Sequence, residues 1–232
     1  MPTALVTGAS RGLGLEWVRQ YAAEGWRVHA ACRHPAEAGE LLALAKAHPQ
    51  VHVHRLDVTR PDEVRSLAAA LRDEALDVLV ANAGVNLEPF ERDDLGSLRY
   101  EDWRLTLEVN TLGAVRVVEA MVERLAAAER PVVAAISSHM GSIADIDAPG
   151  SYFYRSSKAA LNAVMRGLAA SLRPRGIGVL LLHPGWVRTR IGGPRAPLEP
   201  AESVRGMRAL VAGFRLERTG SFLRYDGTPM PW

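Results

Sequence analysis

The chain has 232 residues, 48% of them hydrophobic, which is enough for a large core and ordinary for a globular protein. The formal net charge is +2, and the single cysteine, Cys32, excludes an internal disulfide and suits a reducing cytoplasm. Apolar runs such as residues 132–136 and 179–182 are far too short to span a bilayer, and β-type residues begin at Thr3, so neither a membrane span nor a leader is expected.

The charge is uneven. Residues 171–232 carry ten Arg against Glu199, Glu202, Glu217 and Asp226, so this stretch is +6 and the remainder −4. Such a region could attract an anion, but basic residues are not interleaved with aromatics, and nucleic acid is not expected as a partner. A generally Arg-rich, solvated surface accounts for the same numbers.

In chain order, strands are predicted at residues 3–7, 27–32, 51–56, 77–81, 131–137 and 176–182, with a last one at 221–225. Helices are predicted between them at 12–24, 35–47, 61–74, 101–129 and 152–172, with another starting near Ala201. Strands that read as continuous apolar runs are buried on both faces, as in a parallel sheet. The alternation therefore predicts an α/β, Rossmann-type doubly wound parallel sheet of about seven strands with helices on both faces. Residues 1–232 are expected to form one domain, with a short flap over the site at about 188–213.

Immediately after the first strand stand Gly8, Ser10, Arg11, Gly12, Leu13 and Gly14, in the pattern Gly-x-x-x-Gly-x-Gly, followed by an apolar helix. Glycines in such a turn let the backbone approach a phosphate, and the helix N-terminus presents amide donors and positive dipole to it. After the second strand, an acid would bind the ribose 2′-hydroxyl of NAD and a base the 2′-phosphate of NADP. The chain reads Cys32-Arg33-His34, with no acid until Glu37. Arg33, helped by Arg11, could clamp the phosphate, so NADP(H) is favoured over NAD(H). Asp57 and Val58, then Asn82, Ala83 and Gly84, then Pro184 and Gly185, all fall at strand C-termini, where a dinucleotide would lie.

Lysine is nearly absent: there are 26 arginines and two lysines, yet Lys158 stands four residues after Tyr154. At i, i+4 on a helix the two side chains share a face, and an ammonium there favours the phenolate. Arg would replace Lys at a solvated site, but not where a compact cation must sit beside another group's proton. Tyr152 has no such cation at i+4. His48, His52 and His54 lack a convincing ligand arrangement, and no metal is expected.

The ordered set Thr7-Gly8-x-x-x-Gly12-x-Gly14, Asn82-Ala83-Gly84, Asn110, Ser137-Ser138, Tyr154-x-x-x-Lys158 and Pro184-Gly185 resembles the short-chain dehydrogenase/reductase family over nearly the whole length. Residues 154–162, His183-Pro184-Gly185-Trp186-Val187 and Tyr225-Asp226-Gly227 resemble its C-factor-like and sniffer-like carbonyl reductase branch. The resemblance implies a cytoplasmic enzyme that reduces a ketone or aldehyde to an alcohol. Tyr154 would supply the proton, Ser138 would hold the developing alkoxide, and Lys158 would hold the nicotinamide ribose. Asn110 would hold a water in a relay to Lys158. Val187 and Thr189 join the expected cofactor contacts. A homodimer or homotetramer, through residues 101–129 and 152–172, is implied by the same analogy. C-factor-like relatives also leave open a nucleotide-binding regulatory protein with little turnover.

Two local features complete the expectation. Ser138 and Tyr154 are sixteen residues apart, and the extra residues near 143–151 are read as shaping the pocket entrance. Arg188, Arg190 and Arg195 are placed where an anionic substrate could be held. The tail Met230-Pro231-Trp232 is expected to cover either a neighbouring subunit or its own sheet.

Overall fold

The computed structural model of the protein describes residues 1–88 and 95–232. Seven strands are present: β1 Thr3–Thr7, β2 Arg27–Cys32, β3 Val51–Arg55, β4 Val78–Ala81, β5 Val132–Ile136, β6 Gly178–His183 and β7 Ser221–Arg224. All are parallel, in the order β3-β2-β1-β4-β5-β6-β7. The helices are α1 Gly12–Ala23, α2 Gly39–Ala47, α3 Pro61–Ala70, α4 Tyr100–Leu107, α5 Gly113–Ala126, α6 Tyr152–Leu172 and α7 Pro200–Ala212.

The sheet separates two cores because successive strand residues point to opposite faces. Ala4, Val6, Val28, Ala30, Val78 and Val80 pack with Trp17, Val18 and Tyr21 of α1, Leu41 of α2 and Val204 and Met207 of α7. Leu5, Leu79, Ala81, Val133 and Leu181 pack with α3, with Val117 and Met121 of α5 and with Leu161 and Met165 of α6. Full burial of one such side chain stabilises the fold by about 1.5–3 kcal/mol. The apolar runs in the central strands follow directly from burial on both faces. β3 sits at an edge, and its sequence Val-His-Val-His-Arg is correspondingly less apolar.

Strand ends shift by one or two residues, and three helices depart further from the predicted bounds. The expected helix at 101–129 is interrupted at Glu108–Leu112 by a π-helical turn that holds Asn110. Helical periodicity continues through such a turn, so the sequence pattern does not reveal it. The expected helix at 35–47 begins as a 3-10 turn, Pro35–Glu37, before α2, and α3 ends at Ala70, short of 74.

The tail returns along the free edge of β7. Arg224 donates its amide to Thr228 O at 2.8 Å and Met230 donates to Phe222 O at 2.9 Å. The Trp232 ring lies on Phe222, with the Arg166 guanidinium 4.4 Å from its centre. The tail therefore covers its own sheet, which removes an edge that could pair with another chain. Among the described residues, no helix is long and apolar enough to cross a membrane.

Candidate active site

The chain reverses its winding between β1 and β4, and this switch point opens a crevice at the strand C-termini. A cleft of about 1220 Å³ lies there. Of the residues expected to meet a cofactor, Gly8, Ser10, Arg11, Gly12, Leu13, Gly14, Arg33, Asp57, Val58, Asn82, Ala83, Gly84 and Thr189 all line it.

The cleft suits a dinucleotide phosphate for local reasons. Arg11 precedes α1 in extended conformation without capping it by a side chain, and no acid stands in the first turn. The first amides of α1 thus lack the side-chain acceptor that most helices carry. At Gly14 a Cβ would lie 2.2 Å from Gly8 O and 2.6 Å from Asn82 Nδ2, so only glycine lets the helix start approach the β4 end this closely. Asn82 holds the same turn by donating Nδ2 to Thr7 O at 2.9 Å, while the Asn82 and Ala83 amides both donate to Thr7 Oγ1.

Pro184, Gly185 and Val187 do not line this cleft. Pro184 O accepts from Ser203 Oγ at 2.6 Å, Gly185 packs against Leu198 and Tyr225, and Val187 is buried. They brace the segment that follows β6. That segment is further tied by Trp186 Nε1 donating to Gly192 O at 2.7 Å and by an Arg188–Glu199 ion pair at 2.7 Å. Arg188 and Arg190 both line the cleft, Arg188 with its guanidinium on Glu199, and Arg195 is exposed outside it. The three do not form the common anion site expected for them.

Beyond the cleft, three elements bring Asn110, Ser138, Tyr154 and Lys158 together: the π-helical turn, the segment after β5, and α6. Lys158 is buried in α6 and donates Nζ to Ile136 O, at the end of β5, at 2.8 Å. The same Nζ is 5.7 Å from the centre of the Tyr154 ring. A Cβ at Gly84 would sit 3.3 Å from Asn110 Oδ1 and 3.8 Å from Lys158 Nζ, so the amide and the ammonium face one small space beside the cleft. Asn110 receives the Val85 amide at 2.8 Å and donates to Val85 O at 2.8 Å and to Ser157 Oγ at 3.0 Å. Both of its N–H groups are thereby used in tying the loop after β4 to α6. Ser138, nearly buried past β5, accepts the Met140 amide at 3.2 Å. Its neighbour Ser137 is turned inward and donates to Asn162 Oδ1 at 2.6 Å.

Burial decides the protonation states. It pushes the Tyr154 phenol up to about 12, against the nearby Ser138 hydroxyl, which works in the opposite direction. It pulls the Lys158 ammonium down to about 8. At neutral pH the phenol is protonated and the lysine mostly charged. Burial outweighs the lowering expected from the Lys158 ammonium.

Glu88 was not anticipated from the sequence. Its carboxylate accepts the backbone amides of Phe153 at 3.1 Å and Tyr154 at 3.3 Å, capping the N-terminus of α6 and fixing the turn that carries the phenol. No local pattern links residues 65 positions apart. His139 and His183 also meet beside this site, with ring centres 5.1 Å apart, and burial holds His183 at about 4. Among the described residues, no three His, Cys, Asp or Glu converge on a point that could hold a metal ion.

Residues 2–198 match the short chain dehydrogenase family. The chain is 42% identical to the C-signal of Myxococcus xanthus over 169 residues, covering 73% of this chain and 100% of that one. It is 35% identical over 238 residues to the 1-hydroxy-2-glutathionyl-2-methyl-3-butene dehydrogenase of Rhodococcus sp. strain AD45, covering all of both. Among solved structures, the NADPH-bound carbonyl reductase from chicken fatty liver superposes with a TM-score of 0.93 at 31% identity, covering 100% of this chain and 99% of that one. The carbonyl reductase Sniffer of D. melanogaster gives 0.91 at 32% identity, covering all of both. The chain belongs to the short-chain dehydrogenases, and so to the oxidoreductases that interconvert CH–OH and C=O groups.

Proposed function

We propose that the protein is an NADP(H)-dependent carbonyl reductase that converts a ketone or aldehyde to an alcohol. The observation that carries this reading is the convergence of a protonated Tyr154 phenol, the Ser138 hydroxyl and the Lys158 ammonium beside a dinucleotide-sized cleft. Bound NADPH would supply the hydride. The Tyr154 phenol would give its proton to the carbonyl oxygen, and Ser138 would donate a hydrogen bond to that oxygen as charge develops on it. Lys158, fixed on Ile136 O, would keep a positive charge next to the phenolate that remains. Asn110, with both N–H groups engaged, would position the loop after β4, and its amide oxygen could receive a water from the side of Gly84. Arg11 and Arg33 line the cleft where a 2′-phosphate would lie, and the C-terminal end of β2 carries no acid before Glu37. Two of the NADP(H)-dependent features are thus basic side chains of this chain.

The reading extends to a cytoplasmic homodimer or homotetramer. Tyr100, Leu105, Leu112 and Val164 expose apolar side chains on or beside α4, α5 and α6, the helices expected at the interface. Residues 188–213 would act as the substrate flap of one domain spanning the chain.

Tyr154→Phe tests the assignment. NADPH oxidation with a panel of aldehydes and ketones should fall by roughly 10²–10⁴-fold, the usual contribution of a positioned acid, while NADPH binding persists. Turnover unchanged by this substitution would overturn the reading. A wild-type protein that binds NADPH but reduces no member of the panel would instead favour the regulatory alternative, which the resemblance to C-signal supports.

A further inference from the structure

We propose that Arg190 joins Arg11 and Arg33 in a three-guanidinium site for the 2′-phosphate of NADP(H), so that cofactor choice is set partly by the segment after β6. The inference rests on the NADP(H) reading above and assigns it a residue that the end of β2 does not contain.

The three side chains come from separate parts of the fold. Arg11 stands in the turn before α1, Arg33 follows β2, and Arg190 follows Thr189, yet all three line the same cleft. The approach is fixed by packing. A Cβ at Gly12 would touch Thr189 Cγ2 at 3.5 Å, so the residue before Arg190 lies against the phosphate-binding turn. On its other side, Gly193 donates its amide to Thr189 O at 2.8 Å and Gly192 donates to Thr189 Oγ1 at 3.2 Å. The backbone carrying Arg190 is therefore held beside Arg11 before any ligand binds.

The charges are uncompensated. Among the described residues thirteen arginines pair with a carboxylate, and Arg11, Arg33 and Arg190 are not among them. Acids on the cleft wall are engaged elsewhere or make no ion pair with them: Glu16 bonds Arg19, Glu199 bonds Arg188, Asp57 accepts from Thr59, and Glu37 and Glu40 pair with none of the three. Burial holds the Arg11 guanidinium below its ordinary value, and Arg190 and then Arg33 push it further in the same direction. Arg188, two positions before Arg190, turns to a carboxylate instead. Like charges gathered around a cleft are stabilised by an anion that accepts from all of them. A phosphate monoester, with close to two charges near neutrality and three acceptor oxygens, fits this role, and a ribose hydroxyl does not.

The experiment compares adenosine 2′,5′-bisphosphate with 5′-AMP by titration calorimetry, in wild type, Arg190→Gln and Arg195→Gln. These ligands differ only by the 2′-phosphate. Arg190 is exposed, so its replacement leaves the core intact, and Arg195 lies on the same segment outside the cleft. Wild type should prefer the bisphosphate. Arg190→Gln should lose roughly tenfold for the bisphosphate, the loss expected for one charge-assisted contact, and less than twofold for 5′-AMP. Arg195→Gln should match wild type. Equal losses for both ligands, or no loss, would overturn the assignment of Arg190. A wild type without preference for the bisphosphate would overturn the NADP(H) reading itself, and the inference with it.

Discussion

The Lys158 Nζ lies 5.7 Å from the centre of the Tyr154 ring and directs its hydrogen bond to the carbonyl of Ile136, 2.8 Å away. The cation is thereby anchored to the end of β5, at a fixed place beside the phenol. Burial brings this lysine to about 8, while the phenol stays protonated to about 12, so the first group of the pair to titrate above neutrality is the lysine. NADPH affinity should therefore weaken as pH rises through about 8, by roughly tenfold near pH 9, if the ammonium is the form that holds the cofactor. Fluorescence titrations between pH 6.5 and 9.5 check this. Lys158→Met should bind weakly and without that limb, and a wild-type affinity flat to pH 9.5 would contradict the role.

The histidines paired across β2 and β3 predict acid sensitivity. His29 Nδ1 is 3.0 Å from His54 Nε2, and the His52 ring stacks at 5.4 Å. Burial, then His54, lowers His29 from 6.5 to about 4, with the Arg27–Glu74 ion pair nearby. A base lowered by folding binds its proton first in the unfolded chain. Stability is thus intact above about 6.5 and is lost as pH falls towards about 4. The loss is on the order of 2–3 kcal/mol for this residue. Urea midpoints at pH 7.5 and 4.5 should differ less in His29→Leu than in wild type. Equal shifts in both proteins would remove His29 from the account.

Gly14 and Gly39 form a matched pair. A methyl at Gly14 meets Gly8 O at 2.2 Å, whereas one at Gly39 meets nothing within 4 Å. Gly14→Ala should cost several kcal/mol or abolish NADPH binding, because the Gly8 backbone and the Asn82 side chain must both move. Gly39→Ala, at the start of α2, should be neutral or stabilise by about 0.5–1 kcal/mol. Thermal melts with and without NADPH separate these outcomes.

Asn110, in the π-helical turn before α5, ties that turn and α6 to the loop after β4 through three hydrogen bonds. Asn110→Asp keeps the acceptor but loses both donors and buries a carboxylate. It should destabilise the fold by about 1–3 kcal/mol and lower kcat together with stability. Denaturant unfolding within about 0.5 kcal/mol of wild type would show that the amide is not a structural tie.

Much of this protein is legible one residue at a time. The glycine turn, the alternation of strands and helices, the Tyr154–Lys158 spacing and the tail's apolar character all follow from periodicity, steric demand and local chemistry. The π-helical turn at Glu108–Leu112 escaped because its hydrophobic pattern continues that of its flanking helices. Glu88 escaped because a carboxylate that caps a helix 65 positions away leaves no mark on its neighbours in the chain.

Residue order alone therefore determined the doubly wound sheet, since alternating apolar runs and amphipathic segments can bury themselves in few other ways. Tertiary packing decided which charges meet. Arg188 was drawn to Glu199 and Arg190 was set beside the turn that carries Arg11, although the two are near neighbours in sequence. Charge interactions depend on distance through space, and only the folded backbone sets that distance.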